Sequence, residues 1–196
     1  MAVEYLDAVR IAHLIFFALG LGSGSFFDWQ ALRCAKEELS NRQIAQFRAL
    51  HQFVFFAVGG LWLSGFVLLY VRTGLDVAQF SPKLWCKLFV VTILTANAFI
   101  IGRFVRTKLD LAAGRRIVDL PVSDYFQMAM ATGVSVASWI SALTLGASVY
   151  LKTAPWEVLG LVLALIYVCV IAGSLTVAFA ARASIEARQR AKLPAL

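Results

Sequence analysis

The chain has 196 residues, of which 61% are hydrophobic and only 15% are charged. Soluble domains carry roughly a quarter charged residues, so this composition argues against a soluble enzyme and favours a protein embedded in a membrane. The formal net charge of +7 is explained by basic loops that face anionic lipid. Nucleic acid is therefore not expected as a partner.

Five apolar segments follow one another along the chain, at about residues 6–31, 49–71, 84–103, 125–151 and 156–181. Apolar stretches of this length are typical of transmembrane helices. The sequence predicts one all-α domain, residues 1–196, built as a five-helix membrane bundle. Residues 32–48 and 104–124 are expected to form loops on one side. The start of the chain lacks the basic region and cleavage site of a secretory signal, so the first helix is expected to remain in the mature protein.

The basic residues and the aromatic residues predict the same orientation. Cytoplasmic loops are enriched in Lys and Arg, and Trp and Tyr concentrate at both membrane boundaries. With the amino terminus outside, thirteen cations lie in the cytoplasm and five lie outside. We therefore expect a cytoplasmic carboxyl terminus and a bacterial inner membrane. The thirteen are Arg33, Lys36, Arg42, Arg48, Arg103, Arg106, Lys108, Arg115, Arg116, Arg182, Arg188, Arg190 and Lys192; the five are Arg10, Arg72, Lys83, Lys87 and Lys152. In this orientation the aromatic anchors are Tyr5, Tyr70, Trp85, Tyr150 and Trp156 outside, with Trp29 and Tyr125 inside.

The first segment, RIAHLIFFALGLGSGSFFDW, contains a histidine and an aspartate. Ionisable groups inside a membrane are costly and usually mark a functional site or path. Asp28 and His51 lie equally far from the middle of the first loop, so we expect them to face each other as a structural polar pair, shared with Arg103. His13 lies in the other half, about 20 Å from His51 along the membrane normal. The two histidines therefore cannot bind one haem iron together.

His13 is predicted to lie about 12 Å inside the boundary marked by Tyr5. Its expected neighbours are Arg10, one turn back, and Lys87 of the third helix. Two interpretations stay open for His13: a hydrogen-bonded interior histidine, or a metal ligand or proton carrier. Lys87 is either an anchor that reaches towards the headgroups or part of the same site.

Small and hydroxylated residues form faces on several of the helices. Gly20 and Gly24 make a GxxxG face, which another helix or a flat ligand can approach closely. Asn97 is expected to hydrogen-bond to another helix. The fourth segment carries hydroxyl groups at near three-residue spacing, which indicates either helix packing or a polar path: Ser135, Ser138, Ser141 and Thr144.

A family resemblance rests on His13 with the Gly/Ser/Phe-rich stretch that follows, and on SPKLWCKLFVVTILTANAF in the third segment. Over about residues 8–110 the chain resembles copper-resistance-D-type membrane proteins and their HemJ-type relatives. The fifth segment and Cys86 depart from the family pattern. The resemblance implies a membrane protoporphyrinogen oxidase associated with b-type haem, whose functional histidine and lysine correspond to His13 and Lys87.

Three functions are compatible with these features. The first is a redox protein that holds haem or porphyrin between helices one to three, with His13 as ligand, Gly20 and Gly24 beside the macrocycle, and Lys87 on a propionate. The second is a transporter or channel for a metal ion such as copper, with a path along His13, Asn97 and the hydroxyl groups of the fourth helix. The third is a non-enzymatic subunit of a larger membrane complex. A homo-oligomer or such a complex is expected, and haem is the only cofactor implied.

Overall fold

The protein is described by a computed structural model that covers residues 2–35 and 37–190, apart from the side chains of residues 2, 3, 106 and 188–190. The predicted cytoplasmic cations Lys36 and Lys192 lie outside the described residues. Five helices are long and apolar enough to cross a membrane, which confirms the predicted all-α bundle. They are α1 (Ala2–Cys34), α2 (Asn41–Thr73), α3 (Pro82–Leu111), α4 (Val122–Ala147) and α5 (Trp156–Arg190).

The helices extend beyond the apolar segments, and the predicted loops are correspondingly shorter. α1 ends at Cys34 and α2 begins at Asn41. α3 continues past Ile100 through a π-helical turn, Ile101–Val105, into a last α-helical stretch, Arg106–Leu111. The prediction of a loop over 104–124 is therefore wrong for its first part. The helix continues because Val105 and Leu109 are buried in an apolar cluster, while Thr107 between them is exposed.

Local sequence signals fix several helix ends. Ser40 caps α2 in a capping box with Gln43, so that the free N–H groups of the first turn find acceptors. Gly74 ends α2 with φ of 60°, a left-handed conformation that glycine adopts without strain. Ser81 accepts a hydrogen bond from the N–H of Leu84, and Pro82 opens α3 at a position where it has no N–H to lose.

α4 lies at the centre of the arrangement. α1 and α2 pack along each other as a hairpin, and α4 packs most closely on α5 and α3. The contacts of α1 with α4 and of α2 with α3 are less extensive. The centre of the bundle is an apolar cluster around Trp139 and Leu94, with Val58 and Leu61 from α2. The side chain of Trp139 is only 2% exposed.

Two ends of the bundle are distinguished below. The Leu39 end contains the links α1–α2 and α3–α4, together with the carboxyl end of α5; the Tyr5 end contains the links α2–α3 and α4–α5. At the Leu39 end the two links are joined by backbone hydrogen bonds, from Leu39 N–H to Arg115 O (3.0 Å) and from Gly114 N–H to Leu39 O (2.9 Å). Ile117 and Val118 of the short 3-10 turn that follows are buried beneath them.

One aromatic residue differs from its predicted role. Trp29 is half exposed and carries Arg33 over its ring at 4.8 Å, as expected of a boundary anchor. Tyr125 is instead buried at 6% exposure, and its hydroxyl donates to the carbonyl of Ala178, 3.0 Å away. Its phenol joins α4 to α5, because the start of α4 is covered by the last turns of α5.

Candidate functional site

His13 lies between α1 and α2 and is held by Ser64. His13 Nδ1 and Ser64 Oγ are 2.8 Å apart. Ser64 is buried, and its hydroxyl also lies 2.6 Å from the carbonyl oxygen of Gly60, one turn earlier in α2. Gly65 lies beside the ring, since a Cβ added there would meet His13 Cε1 at 3.6 Å.

The contacts of Ser64 favour one tautomer of His13. A serine hydroxyl has one hydrogen to donate, and Ser64 Oγ lies 2.6 Å from Gly60 O and 2.8 Å from His13 Nδ1. If the hydroxyl donates to Gly60 O, Nδ1 carries the proton of neutral His13 and Nε2 keeps its lone pair. Nε2 hydrogen-bonds to no group of the described residues. This arrangement, in which one ring nitrogen is held by a hydrogen bond, is how proteins orient a metal-binding histidine.

Lys87 of α3 lies close enough to His13 for its charge to act on the ring. Its ammonium group makes neither a hydrogen bond nor an ion pair within the described part of the chain, although it is only partly exposed. The charges that act on Lys87 belong to Lys83 and Arg72, which are also cations. Lys83 Nζ donates to the carbonyl of Ser148 at 2.7 Å. The Tyr5 end thus presents several positive charges in the neighbourhood of His13.

Arg10, the other predicted neighbour of His13, is engaged elsewhere. Its guanidinium lies 2.9 Å from the carboxylate of Asp7, and both side chains are more than half exposed. Arg10 is thus a surface residue in an ion pair of its own. In the structure the histidine is accompanied by Ser64 and Lys87 instead.

The space in front of Gly20 and Gly24 is filled by the indole of Trp139. A Cβ on Gly20 would lie within 2.8 Å of two atoms of this ring, and one on Gly24 would lie 3.3 Å from Nε1. Trp139 Nε1 is buried without a hydrogen-bond partner among the described residues. The flat group that this face accommodates is therefore a side chain of α4, and helix packing accounts for both glycines.

Asp28 and His51 line one small cavity of about 20 Å³ together with Ser135. The side chain of Thr132 on α4 lies within reach of the Asp28 carboxyl group and can donate a hydrogen bond to it. His51 Nε2 packs against the π-helical turn of α3, 2.8 Å from where a Cβ on Gly102 would lie. Arg103, the third predicted member, is exposed, and its guanidinium is paired with no carboxylate in the described ranges.

The polar residues of the predicted path lie in different environments. Asn97 Nδ2 donates to Ala131 O at 2.9 Å, which confirms that Asn97 joins α3 to α4. Ser138 is 2.8 Å from the hydroxyl of Tyr167 on α5. Ser141 is fully buried, with an Oγ that lacks a partner among the described residues. Ser135 faces the Asp28 cavity, and Thr144 is partly exposed near the end of α4.

Three contacts were missed by the sequence reasoning: Ser64 on His13, Thr132 on Asp28, and Trp139 on Gly20. All three join different helices, so no local signal points to them. The depth of the residues in the bundle predicts part of the His13–Ser64 contact. Ser64 lies in the same half of the bundle as His13 and belongs to a small-residue group with Gly60 and Gly65.

The described residues hold no group of three or more His, Cys, Asp or Glu side chains that could bind a metal ion. Any metal at His13 would need ligands from outside this set, such as those of a macrocycle. Fold and site together define an all-α integral membrane protein with one oriented histidine beside an unpaired lysine. No protein-family model, no curated protein and no solved structure matches the chain.

Proposed function

We propose that this is a membrane redox protein of the HemJ-type, protoporphyrinogen-oxidase-like class that binds b-type haem or a porphyrin at His13. The observation that carries the proposal is the open Nε2 of His13, oriented by the hydrogen bond from Nδ1 to Ser64. Lys87, unpaired and next to it, is the residue that the family resemblance also selects.

The residues at this site suit the chemistry of haem. A neutral imidazole nitrogen is the commonest proximal ligand of haem iron. Haem carries two carboxylates, and Lys87, Lys83 and Arg72 supply cations that hydrogen-bond such groups strongly. The Gly20–Gly24 face is occupied by Trp139, so those two glycines would not contact the macrocycle, whereas Gly65 lies beside the His13 ring.

The chain's own residues bind and orient in this proposal. By holding the proton on Nδ1, Ser64 would keep the Nε2 lone pair available as a ligand. Lys87 would neutralise a carboxylate that would otherwise be costly in the membrane. Haem, when bound, would supply the one-electron chemistry. Ser64 itself is buried, and Phe16 packs against Gly60 one turn away.

The orientation belongs to the same proposal. Thirteen of the chain's cations are expected on the side of the Leu39 end and five on the side of the Tyr5 end, which favours a cytoplasmic Leu39 end. The haem site would then lie in the outer half of a bacterial inner membrane. Cysteine labelling from outside intact cells, at positions introduced before Tyr5 and after Ala113, tests this assignment.

Absorbance spectroscopy tests the haem site. The protein, purified in mild detergent from haem-supplemented cells, should show a Soret band that shifts on dithionite reduction. His13→Ala should abolish the band, whereas His51→Ala, the matched change at the other histidine, should leave it. Lys87→Met should weaken haem retention. A colourless, monodisperse wild-type protein, or a band that depends on His51, would contradict the proposal.

One observation favours the second function, transport of a metal ion such as copper. The Oγ of Ser141 is fully buried and lacks a partner in the described chain. A hydroxyl without a partner would be available to a passing ion if this part of the bundle opened during transport. Copper uptake into proteoliposomes, compared between wild type and Ser141→Ala, tests this alternative. Uptake that is equal to that of empty liposomes would exclude it.

The proposal includes assembly into a homo-oligomer or a larger complex. α1 contributes little buried surface to the bundle, and apolar residues such as Leu14 (64% exposed) and Tyr5 (71% exposed) face outwards. Mass measurement of the protein in nanodiscs, with and without co-purified chains, tests this part. A monomer that binds haem fully would show that assembly is not needed.

A further inference from the structure

An apolar cleft of about 330 Å³ lies near the Leu39 end, between α1, α4 and α5. Its floor is formed by α4 and the end of α3, and it is lined by buried Phe47 and Tyr125. Its mouth lies between Leu32 of α1 and Val177 of α5, which are 56% and 49% exposed. The mouth therefore lies between apolar helix faces, close to the membrane boundary that Trp29 marks. Its volume is at the lower end of the range for small-molecule pockets.

One carboxylate faces this apolar space. Of the described residues that line the cleft, Asp28 is the only one with an acidic side chain, apart from the phenol of Tyr125. A carboxylate has about four acceptor positions, and Thr132 is the donor found for one of them. The other hydroxyl groups are turned away, since Tyr125 donates to Ala178 O and Ser174 donates to Ala129 O at 2.8 Å. The Asp28 carboxyl group therefore has acceptor positions in the cleft that no donor among the described residues is seen to fill.

The surroundings limit the kind of ligand that fits. The Leu39 end is strongly basic, which disfavours a lipophilic cation, and Asp28 disfavours an anion. A neutral molecule with hydroxyl donors remains. Phe27, Phe47 and Tyr125 line the cleft with Met128, and aromatic rings and thioethers pack well on a flat ring.

We propose that this cleft binds a lipid-soluble hydroquinone, which enters sideways from the bilayer and donates a hydrogen bond from its ring hydroxyl to the Asp28 carboxylate. Only binding is assigned to the cleft. The proposed hydroquinone site is formed by residues other than His13, Ser64 and Lys87, so it can be tested separately from the haem site.

Isothermal titration calorimetry with decylubiquinol, kept reduced under argon, tests the proposal on the full-length protein in detergent. Asp28→Asn should weaken hydroquinone binding by about tenfold or more, because a neutral amide accepts less strongly than a carboxylate. The oxidised form, decylubiquinone, lacks ring hydroxyls and should bind the wild type less tightly and be affected little by the change.

A second pair of variants keeps the test independent of Asp28. Gly173 lines the cleft, and a Cβ added there meets nothing within 4 Å, so we expect the side chain of Gly173→Leu to occupy part of the cleft. Gly160→Leu, on the same helix and equally open, is the matched control. We expect Gly173→Leu to lower the affinity for both quinone forms and Gly160→Leu to leave it unchanged.

Three results would overturn the proposal. The first is equal decylubiquinol affinity in wild type and Asp28→Asn, and the second is an equal effect of the two glycine variants. The third is displacement of decylubiquinol by monoolein at equal concentration, which would show that the cleft accepts any hydroxylated lipid. Size-exclusion profiles that match the wild type confirm that each variant is folded.

Discussion

The two ends of the bundle differ in how the cations between their helices are paired. At the Leu39 end, Lys108 is 2.6 Å from Asp124, and Arg48 is 2.7 Å from Asp110. These pairs fasten α3 to α4 and to α2. At the Tyr5 end, Lys87 is partly buried and finds no carboxylate in the described chain, and its charged neighbours are cations.

The difference separates charges that stabilise the fold from a charge that does not. Removing one partner of a partly buried pair is costly, and a partly buried charge without a partner is costly to keep. Lys87 has no partner in the described chain, which is the contrast that the proposed haem site uses. Substitutions at the centre of the bundle and at its two ends test this contrast.

Gly20→Ala should have the largest effect on stability. Its Cβ would lie 2.8 Å or less from two atoms of the buried Trp139 ring, which has no space to move, so we expect a loss of about 3 kcal/mol. Gly22→Ala, where the Cβ meets nothing within 4 Å, is the control and should be neutral or slightly stabilising. The free energy of unfolding, from SDS titration followed by circular dichroism, measures both. Equal stability of the two variants would refute the Gly20–Trp139 packing.

Lys108→Met should destabilise by about 2 kcal/mol. The change leaves Asp124, which is 30% exposed, without the ammonium at 2.6 Å, and it also removes the hydrogen bond to Gln127. The same titration measures the loss. If Asp124→Asn costs as much in the Lys108→Met background as it does in the wild type, the two residues are not coupled and the pair does not fasten this end.

Lys87→Met should change stability in the opposite direction, by about 1 kcal/mol towards greater stability, because an unpaired charge leaves the membrane interior. Haem retention, measured by absorbance on the same samples, should fall. The contrast between the two ends is lost if Lys87→Met destabilises the protein as much as Lys108→Met does.

Arg10→Ala should have the smallest effect, less than about 0.5 kcal/mol. Its pair with Asp7 is exposed on both sides, so water screens the interaction. Haem absorbance should be unchanged. A loss of the Soret band in this variant would place Arg10 in the site after all.

The sequence was sufficient for the number and order of the helices, because each span is long and apolar enough to be recognised alone. It was also sufficient for Asn97, since an amide in the middle of a membrane helix needs a partner on another helix. The end of α3 was not predictable in the same way. Residues 104–111 contain charges and resemble a loop, and they stay helical only because Val105 and Leu109 are covered by neighbouring elements.

The candidate site was predicted in part. His13 and Lys87 were placed in the same half by counting residues, which the helical rise makes reliable. The direction of each side chain was not predictable, because it depends on how the helices rotate against each other. Arg10 was therefore assigned to His13 although it pairs with Asp7, and the Gly20–Gly24 face was offered to a ligand although Trp139 fills it.

The tautomer of His13 tests the central claim most directly, because it determines whether Nε2 is open. Nitrogen-15 NMR of histidine-labelled protein at about pH 8.5, where imidazole is neutral, distinguishes protonated from unprotonated ring nitrogens. The chain has two histidines, so a His51→Asn variant assigns the signals. The account predicts that His13 carries its proton on Nδ1 in wild type and loses this preference in Ser64→Ala. A proton on Nε2 in the wild-type protein would contradict the account, since the lone pair of His13 would then lie on Nδ1, which faces Ser64.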